Sequence, residues 1–248
     1  MKLYRISVLA ALSLAALSCS TKVVQGDGGN EGFVNFTVEN GGEIVEVTKS
    51  NVSDYTSLPS VSDFRIVVKN SDGAPVYDGL VSGWTSSTAL MVGNYSVDAS
   101  YGEEGAEGFD KPYFAGSASF AVTGGQTTAV SVPVKLGNSI VKISCSESFR
   151  NYFPQWAFKV TTGTGTVIDF PSTETRAAFV DAYKFTVSGT FTSQGGAVKT
   201  FSNDYNGIEA ATCYTMKFDA SNIGGLKVTV TFDDTVTTVD CGDVELND

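Results

Sequence analysis

Apolar residues recur at every second position through most of this chain. That period matches a β-strand with one buried face and does not match a helix. Val34, Phe36 and Val38 share one side, while Asn35, Thr37 and Glu39 share the other. The alternation runs again through Phe64, Ile66 and Val68, through Tyr95, Val97 and Ala99, and through Val130, Val132 and Val134. It resumes at Val141, Ile143 and Cys145, at Tyr183, Phe185 and Val187, at Tyr214, Met216 and Phe218, and at Val228, Val230 and Phe232. Turn signals divide the runs: Asp72-Gly73, Gly93-Asn94, Gly124-Gly125, Gly163-Thr164-Gly165 and Gly224-Gly225. Only Ser146 to Phe153 and Thr173 to Ala182 read as a helical turn or two.

The two halves repeat one another. Phe64-Arg65-Ile66, a glycine turn and Val76-Tyr77-Asp78 correspond to Phe158-Lys159-Val160, Gly165 and Val167-Ile168-Asp169. Val92-x-x-Tyr95-x-Val97-x-Ala99 corresponds to Val180-x-x-Tyr183-x-Phe185-x-Val187. The order is the same and the offset is roughly 90 residues, near one domain length. The chain is therefore expected to be all-β, with two tandem antiparallel β-sandwich domains at residues 33–137 and 138–248. Their junction falls at Leu136-Gly137-Asn138. Pro133 cannot donate to a ladder, which predicts that its strand lies at an edge or ends there.

Ahead of the sandwiches, Lys2 and Arg5 precede a small-and-apolar run from Ile6 to Leu17, followed by Ser18-Cys19. The run is shorter than the roughly 20 apolar residues that span a bilayer. A positive flank, a short apolar core and a small residue at the cut read as a lipoprotein export signal over residues 1–18. Cys19 would then be lipidated and become the mature N-terminus, leaving residues 19–32 as a flexible tether. Ala16 stands where such signals usually carry leucine, with Leu17 one place late; an ordinary secretory signal and an uncleaved anchor are the alternatives. The expected location is the outer membrane, lipid-anchored and facing the cell surface.

Charge and composition narrow the function. The formal net charge is −11, with 27 acidic against 16 basic residues and no basic cluster, so no nucleic-acid partner is expected. An acidic body is repelled by anionic lipid heads, which leaves the lipid as the membrane contact. There is no histidine. Ser-His-Asp and Cys-His catalysis and most zinc sites are thereby excluded. No catalytic residue, metal site or cofactor is assigned, and the chain reads as a non-enzyme. Cys145, Cys213 and Cys241 are odd in number, so at most one disulfide can form among them; Cys145 and Cys213 fall on strand patterns and read as buried free thiols.

A few residues carry candidate chemistry. Trp84 follows Gly83 in a Ser/Thr-rich stretch and, with Tyr113, is a candidate ligand-contact residue, since an exposed aromatic face can stack on a sugar ring. Trp156 begins an alternating strand and is expected in the core or at the domain interface. Tyr95 and Tyr183 read as corner tyrosines at strand starts. Glu103, Glu104, Glu107 and Asp110 crowd one loop; without the alternating spacing of a calcium loop they read as a solvated acidic face.

Several segments carry a resemblance: Phe64-x-Ile66-x-Val68 before Asp72-Gly73, then Gly93-Asn94-Tyr95-x-Val97-x-Ala99-x-Tyr101-Gly102, then Pro112-Tyr113-Phe114-x-Gly116-Ser117. With Asn138-Ser139-x-Val141-x-Ile143 and Phe149-x-x-Tyr152-Phe153, they resemble a family of Bacteroidales lipoproteins of unassigned function. Pro112-Tyr113-Phe114-x-Gly116 and Asn138-Ser139 are its most specific parts. More distantly, the Gly-x-Tyr strand start and the tandem sandwiches are similar to fimbrillin-type pilus subunits, which implies transthyretin-like or Ig-like sandwiches and a role in adhesion. Polymerising fimbrillins are cleaved after an arginine that frees a groove for a donor strand. No arginine lies between Cys19 and Phe64, so an accessory or anchor subunit fits better than a shaft subunit. Asp234-Thr235-Val236 resembles the O-glycan acceptor pattern of this bacterial group, with Thr235 as the acceptor. The expected function is adhesion or fimbria-like accessory work through a protein or glycan ligand; the alternative is a glycan-binding lipoprotein of a nutrient-capture system.

Overall fold

The structure is a computed structural model that describes residues 29–40, 52–220, 226–232 and 235–237. The export signal and Cys19 lie outside the described residues, as do Cys241 and most of the tether. The first half contributes β1 (Glu31–Asn40), β2 (Arg65–Asn70), β3 (Pro75–Leu80), β4 (Ala89–Met91), β5 (Gly93–Tyr101), β6 (Gly108–Phe109), β7 (Phe114–Val122) and β8 (Thr127–Leu136). The second opens with β9 (Ser139–Cys145), α1 (Glu147–Tyr152), β10 (Gln155–Thr162), β11 (Val167–Pro171) and β12 (Ala178–Val180). It continues with β13 (Lys184–Thr192), β14 (Val198–Asn206), β15 (Cys213–Ala220), β16 (Leu226–Phe232) and β17 (Thr235–Thr237).

Strands of the first half run in the order β3-β2-β5-β7-β8-β1-β4. Ile66 and Val97 from one end of that sheet and Val34 and Val132 from the other share a single buried core. The sheet therefore folds over itself at the β7–β8 step, where the ladder spans only Phe114↔Leu136 and Ala115↔Lys135. Pro133 sits within β8, which runs on past it to Leu136; the ladder to β7 gives out before the residue that cannot donate. In the second half, β11-β10-β13-β14 packs on β17-β16-β15-β9-β12-β6, and Val160, Val187, Val141 and Met216 meet in a second core. The alternating faces around Val34, Ile66, Val97, Val132, Val187 and Met216 turn inward, because a strand with one apolar side gains about 25 cal/mol per Å² of apolar surface by burying it.

The internal repeat is visible strand for strand. β2, β3, β4, β5, β7, β8 and β1 of the first half match β10, β11, β12, β13, β14, β15 and β9 of the second in order and pairing, except that β14 and β15 lie in separate sheets where β7 and β8 are joined by a short ladder. In each copy one pair is parallel, β1 along β8 and β9 along β15, where the sequence suggested antiparallel pairing throughout. A parallel pair needs a long crossover, and the rest of each sandwich supplies one. The second copy adds the hairpin β16–β17 to the β15 edge and borrows β6 from the first.

Ser146 caps α1, its hydroxyl accepting from the Phe149 amide at 3.1 Å, and the helix inserts Phe149 among Phe153, Phe158, Phe191 and Phe218. The other expected helical stretch, Thr173 to Ala182, contains β12 instead: Ala178, Phe179 and Val180 are all buried in a row and pair with β9. A fully buried strand has no alternation to reveal it.

Candidate functional site

Most polar contacts between the two sandwiches gather at one seam. Gly108 and Phe109 of β6 pair with Phe179 and Ala178 of β12, so the acidic loop of the first half becomes an edge strand of the second. Glu107, just before β6, accepts from the Thr162 and Thr164 hydroxyls at 2.7 and 2.6 Å and from the Asp181 amide at 2.9 Å. Burial pushes its carboxyl up, but the Thr164 and Thr162 hydroxyls and the Asp181 amide pull harder the other way, and it rests below the usual carboxylate range. The loop is thus not simply a solvated acidic face, as its sequence suggested. Among the described residues, no group of three or more acids, cysteines or histidines converges as metal ligands.

Arg176 stands beside this clasp. Its guanidinium reaches Asp110 at 2.8 Å and Glu174 at 2.9 Å, and lies 4.6 Å from the Phe109 ring centre. The side-chain and backbone hydrogen bonds from Arg176 hold the Glu174 carboxyl down at about 2. Phe109 meets Phe170 edge-on at 5.0 Å, carrying the seam into the second core.

Asn138, 4% exposed, ties the junction. Its Nδ2 donates to the Lys111 carbonyl at 2.8 Å and its Oδ1 accepts from the Tyr113 amide at 3.2 Å. Ser139 donates to the Glu209 carbonyl at 2.6 Å. Tyr113 is half-buried with its ring over Gly137, where a Cβ would strike ring carbon Cδ1. Burial and the nearby Glu104 charge push its phenol up. The two segments that carry the family resemblance most specifically, around Tyr113 and at Asn138-Ser139, therefore meet in space as the junction.

The other aromatic candidates are committed to packing. Trp84 is half-buried; its Nε1–H donates to the Val34 carbonyl at 2.8 Å, and Phe36 and Tyr77 each meet its ring edge-on at 4.9 Å. Trp156 packs against the second core and Phe149, as its strand pattern suggested. Tyr95 is a corner tyrosine, donating to the Met91 carbonyl at 2.9 Å. Tyr183 is not: it precedes β13 and is 65% exposed, with Lys184 5.6 Å from its ring centre. The repeat preserved the residue type but not the inward direction. Cys145 and Cys213 are both buried, and burial pushes the Cys145 thiol up to about 12, which keeps it from acting as a nucleophile. Thr235 opens β17 opposite Phe232.

A cleft of about 340 Å³ opens in the second sandwich between β9 and the β10–β11 pair. Arg150 of α1 reaches across its end, donating from Nε and Nη2 to the Cys145 carbonyl at 3.0 and 2.7 Å. Sequence reading missed both the Glu107–Arg176 seam and this cleft. Each joins residues tens of positions apart, and no local motif marks them.

A family model described as "Domain of unknown function (DUF4493)" matches residues 30–247, and the chain belongs to that family. No curated protein matches it. Among solved structures, it is similar to a fimbrial assembly protein from Parabacteroides distasonis at 11% identity and TM-score 0.46, covering 72% of this chain and 91% of that one. It is also similar to the fimbrial anchor protein Mfa2 from Porphyromonas gingivalis at 11% identity and TM-score 0.40, covering 83% of this chain and 98% of that one. At such values these likenesses decide nothing about what the chain binds.

Proposed function

We propose that this member of the DUF4493 family is a non-enzymatic, lipid-anchored surface lipoprotein of the outer membrane that serves in adhesion or as a fimbria-like accessory subunit. The observation that carries the reading is a duplicated sandwich, tied copy to copy at one seam, which follows an N-terminal sequence that reads as a lipoprotein signal and a Gly-rich tether. A lipid at Cys19 would hold the chain, the tether would give reach, and the seam would keep the two bodies as one display unit. The domain boundary at Gly137 and the acceptor role of Thr235 belong to the same proposal.

The chemistry supports binding rather than turnover. The chain has no histidine, the seam carboxylates are neutralised or hydrogen-bonded, and the described cysteines are buried. β1 runs along β8 from Phe33↔Thr127 to Asn40↔Val134, and no arginine precedes it after Cys19. That favours a subunit that keeps its first strand. Trp84 is no open stacking platform, which weakens the nutrient-capture alternative where it depended on that residue.

Protease shaving of intact cells followed by mass spectrometry tests the assignment. Peptides from both sandwiches should be released while cells stay whole. Complete protection of the chain until lysis would overturn the surface location.

A further inference from the structure

The cleft in the second sandwich has a shape and charge that nothing described so far uses. Backbone directions along β9 define its floor. Ile140 donates to the Thr212 carbonyl, so its peptide groups face β15, and alternate residues face opposite ways. Val141 therefore faces β12, where it pairs with Ala178, the first residue of that strand. Ile143 faces the same way, beyond the end of β12, and no described strand pairs with it on that side. Cys145 comes next, and Arg150 already holds its carbonyl. The open edge is thus one residue long, about 3.3 Å of strand. An added peptide strand needs several such positions, so the opening suits a compact ligand.

The first sandwich shows what closes the equivalent wedge. There, the segment between β3 and β4 carries Trp84, whose indole caps the Val34 carbonyl of β1. In the second, the segment between β11 and β12 carries Ser172, Glu174 and Thr175, and the space stays open at about 340 Å³, within the range of small-ligand sites.

Charge then selects the ligand class. The chain is strongly acidic, yet Lys142 and Arg150 both line this cleft. The lining carboxylate, Glu174, is matched by Arg176 at 2.9 Å. Lys142 is placed by its approach to the Tyr55 ring, 5.9 Å from the centre. Ser172 and Thr175 add hydroxyls, and Trp156 adds an aromatic wall. We propose that the cleft binds one acidic sugar unit, a pyranose bearing a carboxylate, with Lys142 and Arg150 meeting the carboxylate and the hydroxyl rim meeting the ring. The inference deepens the adhesion reading and rests on it for access to such glycans.

Calorimetric titration of the full chain in detergent with glucuronic acid, N-acetylneuraminic acid, glucose, acetate and a short apolar peptide tests it. One or both acidic sugars should bind, with glucose and acetate each at least about tenfold weaker. Lys142→Gln should weaken the acidic sugar about tenfold at an unchanged melting temperature. Ser172→Trp, which copies the plug of the first sandwich, should abolish binding with the fold intact. Acetate as tight as the acidic sugars, glucose as tight as either, peptide binding alone, or no binding at all would overturn the proposal. A chain shaved from intact cells that binds no acidic sugar would refute this site and leave the surface reading standing; sugar binding by a chain protected from shaving would do the reverse.

Discussion

The Glu107 carboxylate of the first sandwich accepts the Thr162 hydroxyl proton of the second at 2.7 Å, across a sequence separation that no local pattern bridges. The same Oε2 takes the Thr164 hydroxyl, and Oε1 takes the Asp181 amide. Replacing Glu107 with alanine removes the acceptor that three donors share at a partly solvated seam. A loss of about 1–3 kcal/mol is expected in urea unfolding, with earlier separation of the two sandwiches. Glu107→Gln keeps one acceptor oxygen and should lose less. A single unchanged transition in both variants would show that the seam contributes nothing.

Acid should loosen the same seam. Glu107 has a folded pKa below that of an unfolded carboxylate, near 4.3, so its contribution is complete above that value and is lost as pH falls through the folded one. Glu174, held at about 2 by Arg176, has the same sign. Stability measured from pH 6 down to 3 should therefore fall more steeply in the wild type than in Glu107→Gln. Parallel curves would exclude Glu107 from the acid response.

How much of this was legible follows from which forces act locally. Strand after strand could be read from alternation, because Val34, Ile66, Val97 and Val160 face a core that sits on one side of each strand. The duplication could be read because both copies keep their strand order. β12 escaped, since all three of its residues are buried and carry no period. The parallel partnership of β1 with β8 also escaped, because pairing direction depends on where the chain returns. Tyr113 was read as a ligand-contact candidate and Asn138 as the domain boundary; only the structure shows that the Tyr113 amide and the Asn138 side chain bond to each other at the junction. Nothing local distinguished Glu107 from its exposed neighbours.

Trp84 separates a packing role from a binding one. Trp84→Phe keeps much of the contact with Phe36 and Tyr77 but removes the donor to Val34, and should cost about 1 kcal/mol. Trp84→Ala removes the plug as well and should cost about 2–4 kcal/mol, less than for a fully buried tryptophan. Neither should change sugar affinity at the second sandwich. A stable Trp84→Ala protein that loses glycan binding would reverse that assignment.

Gly116 is fixed by close approach. A Cβ there would run into the carbonyl oxygen of Pro133, where β7 passes β8 at the fold-over of the first sheet. Both partners are backbone and cannot swing aside. Gly116→Ala should destabilise the first sandwich by about 1–3 kcal/mol or more, read as a lower melting temperature. Gly73→Asn is the contrasting change, since its φ of 78° lies in the left-handed region that asparagine tolerates and no atom is near. Equal tolerance of both would mean that the strands can part at little cost.

The anchor is the remaining link between fold and location. Cys19→Ser removes the proposed acceptor for lipid and should release the protein from membranes while leaving the melting temperature unchanged. The tether ahead of Glu31 precedes the first strand, and a chain of net charge −11 has no electrostatic affinity for anionic lipid. Membrane fractionation should find the variant soluble, and mass spectrometry of the wild type should find a lipidated Cys19 as its first residue. Sedimentation of Cys19→Ser with membranes, or an unmodified N-terminus at another residue, would place the anchorage elsewhere. The two sandwiches and their seam would be the same in either case, because β1 through β17 form without any residue of the signal.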